Sequence, residues 1–182
     1  MAFLIVGGSA RGVGKTTVVC ELIRAFRDMA PIAIKVASHP HAASAAWRVV
    51  EEHSSIGDKD TARYLQAGAA RALLLSIPAD TKEGFTHIEK EFGGESLVIL
   101  ESTRAAGRVK ASFSLYVTAP GVQEEKSYTA EAATRFDVTV SNERLQPNST
   151  GLPSLIQLGP QGDVPVEILQ GIRQKITANS SK

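Results

Sequence analysis

Short apolar runs alternate along this chain with stretches whose apolar positions recur every three or four residues. Residues 3–6 are apolar with no polar alternation, the pattern of a strand buried on both faces of a parallel sheet. Residues 7–14 are glycine-rich and read as a turn. Over 16–29, Val19, Leu22, Ile23 and Phe26 fall on one helical face. Pro31 ends that helix, and 32–37 reads as a second buried strand. Residues 39–56 read as a loop with a helical piece at 47–52, and 60–66 as a helix stopped by Gly68. Further strands are expected at 72–77, 97–100, 113–118, 138–141 and 155–158, with helices at 81–92 and 130–135. Asp163 is expected to cap a last helix, with Pro165 in its first turn and Ile168, Leu169, Ile172 and Ile176 as its buried stripe. Strands alternating with helices predict an α/β domain in three layers, a mostly parallel sheet with helices on both faces.

The turn at 7–14 carries the chemistry. Gly7-Gly8-Ser9-Ala10-Arg11-Gly12-Val13-Gly14-Lys15-Thr16-Thr17 follows a strand and opens a helix, the context a phosphate-binding P-loop requires. Small residues let successive N–H groups turn inward toward phosphate oxygens, and the helix N-terminus adds positive potential. Gly12, Val13, Gly14, Lys15, Thr16 and Thr17 are therefore the candidate triphosphate-binding residues. Lys15 meets the β- and γ-phosphates, and the Thr16 hydroxyl is a ligand for Mg²⁺. Ser9 stands where the usual pattern has glycine.

Such a site needs a carboxylate at the end of a nearby apolar strand. Glu101, closing Leu97-Val98-Ile99-Leu100, is the candidate for that role and for the metal. Asp60 is a second catalytic candidate and equally a candidate helix N-cap. Asn142, after the apolar stretch 138–141, is placed to read a purine edge, since an amide both donates and accepts. Leu145 occupies the acidic position of the Asn-Lys-x-Asp pattern, so Asn142 alone does not separate guanine from adenine.

Composition narrows the classes. A formal net charge of +1 on 182 residues gives no field for nucleic acid or an anionic membrane. A single cysteine, Cys20, excludes an intrachain disulfide and reads as core. No apolar stretch approaches membrane-spanning length. One domain over 1–176, a flexible tail over 177–182 and a cytoplasmic location are expected.

The middle of the chain resembles a known family. Ile34-Lys35-Val36-Ala37-Ser38-His39-Pro40-His41, then Gly57-Asp58-Lys59-Asp60-Thr61-Ala62-Arg63, then Gln66-Ala67-Gly68-Ala69 follow the P-loop and precede the strand ending in Glu101. In order and spacing they resemble the MobB family, molybdopterin-guanine dinucleotide biosynthesis protein B, over roughly residues 3 to 103. Asp58 departs from the family's Gly-Lys-Asp signature, and Ser102 stands where the family has Gly after Glu. The resemblance implies a P-loop protein of the SIMIBI type that binds GTP with Mg²⁺. It implies a weak GTPase, usually a homodimer, that acts beside a molybdenum cofactor nucleotidyltransferase and assists attachment of the guanine nucleotide to molybdopterin. Arg11 and Arg104 are candidates for a charge donated across such a dimer. Two other readings stay open. One is an ATP-dependent ligase resembling dethiobiotin synthetase, although Ser9-Ala10-Arg11 lacks its acidic P-loop residue. The other is a metal-delivery GTPase, for which His39 and His41 could contribute imidazoles but no cysteine motif is present.

Overall fold

The structure, a computed structural model, describes residues 2–38, 47–77, 82–122, 130–142, 155–159 and 163–180. Among them are eight strands and five helices. β1 (Ala2–Gly8), β2 (Ile32–Ser38), β3 (Arg48–Glu52), β4 (Arg71–Ile77), β5 (Leu97–Glu101), β6 (Phe113–Thr118), β7 (Val138–Ser141) and β8 (Leu155–Gln157) form one sheet. Its order is β3-β4-β2-β5-β1-β6-β7-β8. Every pairing is parallel except that of β3 with β4. The helices are α1 (Lys15–Ala25), α2 (Asp60–Ala67), α3 (Glu83–Phe92), α4 (Ala130–Ala133) and α5 (Val166–Ser180).

Side chains alternate across a strand, so a strand that is apolar throughout feeds two cores. In β1, Leu4 and Val6 pack with Val19 and Ile23 of α1, Phe26 just after that helix, Tyr64 of α2 and Ile172 of α5. Phe3 and Ile5 face the other way, toward Phe85, Ile88 and Phe92 of α3. This is the expected three-layer arrangement. The same parity governs the ligand edge. Ala33 and Ile99 belong to the α1 core, so Lys35 and Glu101, two residues further along β2 and β5, face that side as well.

Several local expectations are corrected. Residues 48–52 form the antiparallel edge strand β3, not a helical piece. Val49 and Val50 are stiff at the β-carbon and favour the pleated surface. Trp47, just ahead of it, lays its ring against His87 of α3, with centroids 4.1 Å apart. Asp163 does not cap the last helix, which begins at Val166, and its backbone carbonyl accepts from the Gly159 N–H. Pro165 holds the position before the helix and accepts from Ile168 and Leu169. Asp60 is the first helical residue of α2, and Lys59 takes the cap position without a side-chain bond. The helix at 130–135 is shorter than expected, ending at Ala133, and α5 continues to Ser180. His39, His41, Thr81 and Leu145 lie outside the described residues.

Candidate functional site

The carboxyl ends of β1, β2 and β5 open into a cavity of about 670 Å³. Open parallel sheets present ligands at this edge. The loop between β1 and α1 forms one wall. Gly14 adopts φ +102°, a conformation that favours glycine, and a side chain there would collide with Asn142 Nδ2. A Cβ on Gly8 would come within 2.7 Å of the Val117 carbonyl. Ser9 is buried, and its N–H donates to that same carbonyl at 3.0 Å. The departure from glycine at Ser9 is thus a small side chain in a small space. Thr103 fixes the start of the loop: its hydroxyl accepts from the Gly8 N–H at 2.9 Å and donates to the Gly8 carbonyl at 3.0 Å. Lys15 arches over the loop and donates to the Ala10 carbonyl.

A charged cluster forms the opposite wall. Lys35 and Glu101 are register partners on β2 and β5, and their shared parity puts both side chains under the loop. The Lys35 ammonium donates to Glu101 Oε1 and pairs with Asp60 Oδ2 at 3.0 Å. Glu101 Oε2 accepts from the Thr16 hydroxyl at 2.9 Å and from the Tyr64 phenol. Asp60 and Tyr64 are four apart on α2, which sets them on one helical face. Burial works against the Lys35 charge, but the Glu101 and Asp60 carboxylates outweigh it and raise its pKa above the usual lysine value. Burial likewise works against ionised Asp60, and the Lys35 ammonium outweighs it, holding the carboxyl below its usual range. Burial and the Glu101 charge push the Tyr64 phenol well above its ordinary value. Glu101 itself is 2% exposed, a buried carboxylate saturated with donors. Such a group is costly to bury unless it is paired in this way.

The site residues expected from sequence divide into two groups. Gly12, Gly14, Lys15, Thr16, Thr17, Asp60 and Glu101 line one cavity, with Arg11 and Arg104 at the same opening. Val13 and Asn142 do not line it. Val13 is buried in the core, and Asn142 Nδ2 donates to its carbonyl at 3.1 Å, bracing the loop from beneath. The Asn142 N–H donates to Thr118 O at 2.8 Å, while Oδ1 is buried without a partner among the described residues. Tyr64, Arg63 and Thr103 join the site without having been singled out as its members. Lys35, a charge on an otherwise apolar strand, is expected from sequence at the sheet's ligand edge or a helix end, and it lies at that edge in phase with Glu101. Cys20 is buried, consistent with a core role. Among the described residues no three His, Cys, Asp or Glu side chains gather as metal ligands, and no helix is long and apolar enough to cross a membrane.

No family model and no curated protein matches this sequence. Solved structures do. The "apo" form of LpxK from Aquifex aeolicus in complex with ATP is similar to this chain at TM-score 0.57. That match has 15% identity and covers 100% of this chain and 68% of that one. FlhF complexed with GMPPNP and Mg²⁺ is similar at TM-score 0.52 and 15% identity, over 96% of this chain and 74% of that one. A MobB protein homolog from Bacillus stearothermophilus aligns over 98% of this chain and 99% of that one, but at TM-score 0.49 and 12% identity it is too remote to add weight. The chain has the three-layer α/β fold of P-loop NTPases.

Proposed function

We propose that this chain binds GTP with Mg²⁺ through Gly12–Thr17 and assists formation of molybdopterin guanine dinucleotide, as the resemblance to the MobB family implies. One observation carries the reading. The segments that bear the resemblance contribute Lys35, Asp60 and Arg63, and all three line the cavity of the phosphate loop together with Glu101. Short motifs that match by chance have no reason to converge in space.

The residues fit a nucleotide-bound Mg²⁺ ion. Mg²⁺ selects hard oxygen ligands and keeps several waters. The Thr16 hydroxyl and the carboxylates of Glu101 and Asp60 supply such oxygens beside the loop, and the two carboxylates already hold one cation, the Lys35 ammonium. The ion would supply charge neutralisation at the β- and γ-phosphates. Lys15, released from the Ala10 carbonyl, supplies a further positive charge there, and the loop N–H groups orient the phosphate oxygens. Glu101 orients the Thr16 hydroxyl. Asn142 holds the loop through the Val13 carbonyl. Hydrolysis, where it occurs, is weak, and Arg11 or Arg104 donated across a homodimer would raise it.

Titration calorimetry with GTP, ATP and GDP, each with Mg²⁺, tests the reading. Micromolar binding of GTP with ATP at least about tenfold weaker is the expected result. A preference for ATP would favour the ligase reading, and no binding of either would end the nucleotide reading. Light scattering at micromolar protein, with and without GTP, tests the dimer; a monomer mass throughout removes it.

A further inference from the structure

Lys35 is tied to both carboxylates of the cavity, Glu101 through Oε1 and Asp60 through Oδ2 at 3.0 Å. The second Glu101 oxygen holds the Thr16 and Tyr64 hydroxyls. Thr16, Glu101 and Asp60 are also the oxygen-bearing side chains that fit a nucleotide-bound Mg²⁺ ion. A tethered monocation therefore stands among the groups that would receive a divalent one. We propose that Lys35 is an internal counter-cation that must leave Asp60 and Glu101 before a divalent cation is bound, and that the terminal phosphate of a nucleoside triphosphate is the anion that receives it. Lys35 then makes metal binding conditional on a triphosphate and disfavours a diphosphate. The second half of this inference rests on the nucleotide reading above.

The geometry supports both halves. Lys35 and Glu101 are paired in register, so the backbone cannot carry the ammonium away, but its four-carbon stem can swing it. The Lys35 side chain is 23% exposed, which leaves that swing open on the cavity side. Like charges at contact distance in a poorly screened site repel strongly, so ammonium and divalent ion do not share these carboxylates. An ammonium displaced within a partly buried cavity needs a new anion, because an uncompensated charge there is costly. Apart from Asp60 and Glu101, the acceptor side chains that line the cavity are the uncharged hydroxyls of Thr16, Thr17, Ser102 and Thr103. The phosphate loop lines the same cavity, so the last phosphate of a triphosphate is the anion at hand, and a diphosphate lacks it.

Mn²⁺, as a paramagnetic stand-in for Mg²⁺, allows a test without nucleotide. In nucleotide-free protein, Lys35→Met should bind Mn²⁺ about tenfold more tightly than wild type by electron paramagnetic resonance, and Lys35→Arg should match wild type. Equal Mn²⁺ affinity in Lys35→Met and wild type overturns the proposal. Calorimetry with Mg²⁺ should show the triphosphate-over-diphosphate preference falling about tenfold in Lys35→Met, and an unchanged preference overturns the coupling. If Lys35→Met does not fold, wild-type protein serves. Acetylation of the Lys35 amine, read by mass spectrometry, should stay low with Mn²⁺ and GDP at moderate Mn²⁺, rise when Mn²⁺ alone is raised until it saturates the site, and fall again on addition of GTP; labelling indifferent to all additions overturns the proposal. Tighter Mn²⁺ binding in Lys35→Met with no nucleotide binding at all would sink the nucleotide reading and the phosphate half, while upholding the metal half.

Discussion

On one side of β1 the strands end in charges, and on the other in amides and hydroxyls. Toward β5 and β2 the sheet edge presents Glu101 and Lys35, joined by Asp60 and the Tyr64 phenol. Toward β6 and β7 it presents Thr118, Ser141 and Asn142, whose bonds run mainly to backbone groups. Both sides touch the same phosphate loop. The charged side meets it at the Thr16 hydroxyl, which donates to Glu101. The neutral side meets it at the Val13 and Ser9 backbone, where only shape is at stake. The difference separates two tasks. Charge control belongs to β2 and β5, and loop geometry belongs to β6 and β7.

Substitutions can break that separation or sharpen it. Lys15→Ala removes the loop's own cation and should weaken triphosphate binding by about 100-fold or more in calorimetry; unchanged affinity would end the nucleotide reading. Glu101→Gln leaves Lys35 and two hydroxyls with an uncharged acceptor that cannot satisfy them all. It should lower stability by about 2–3 kcal/mol in thermal or urea unfolding and abolish any hydrolysis. An unfolding midpoint equal to wild type would show that the buried carboxylate is not paired as described. Asn142→Ala, on the neutral side, removes one bond to the Val13 carbonyl and should cost about 1 kcal/mol, seen as a several-fold loss of nucleotide affinity. That loss should be equal with and without Mg²⁺, and a loss confined to Mg²⁺ would erase the distinction between the two sides. Arg173→Ala on α5 removes an exposed ion pair with Asp28 and a stacking contact on Phe26, and should change stability by less than about 1 kcal/mol.

The parts legible in sequence are those where one residue type has one physical use. Phe3 to Val6 can only be buried, Gly14 can only relieve a left-handed turn, and a glutamate closing four apolar residues has few places to go but a sheet edge. Lys35 was harder. Its role depends on parity with Glu101 across two strands 66 residues apart, and no local pattern carries that. Tyr64 was hidden for the same reason: its ring completes the α1 core while its hydroxyl serves Glu101. Residues 48–52 read as helical because a short stretch with two adjacent valines has no period of its own. Pairing with β4 decides it. Asp163 illustrates the reverse error, a good capping residue bypassed because Pro165 already fixes the helix start.

The position of β1 bears on how the chain is made. Its Gly8 is held by Thr103, 95 residues away in sequence, and Ser9 by Val117. The loop after β1 is thus fastened to strands that leave the ribosome well after it. Closing loops of that length costs entropy before any contact repays it, and folds dominated by such contacts form slowly. Residues synthesised well before their partners reach their working shape only after those partners have emerged. Until β6 has docked, the nascent chain has the sequence of this loop without its geometry.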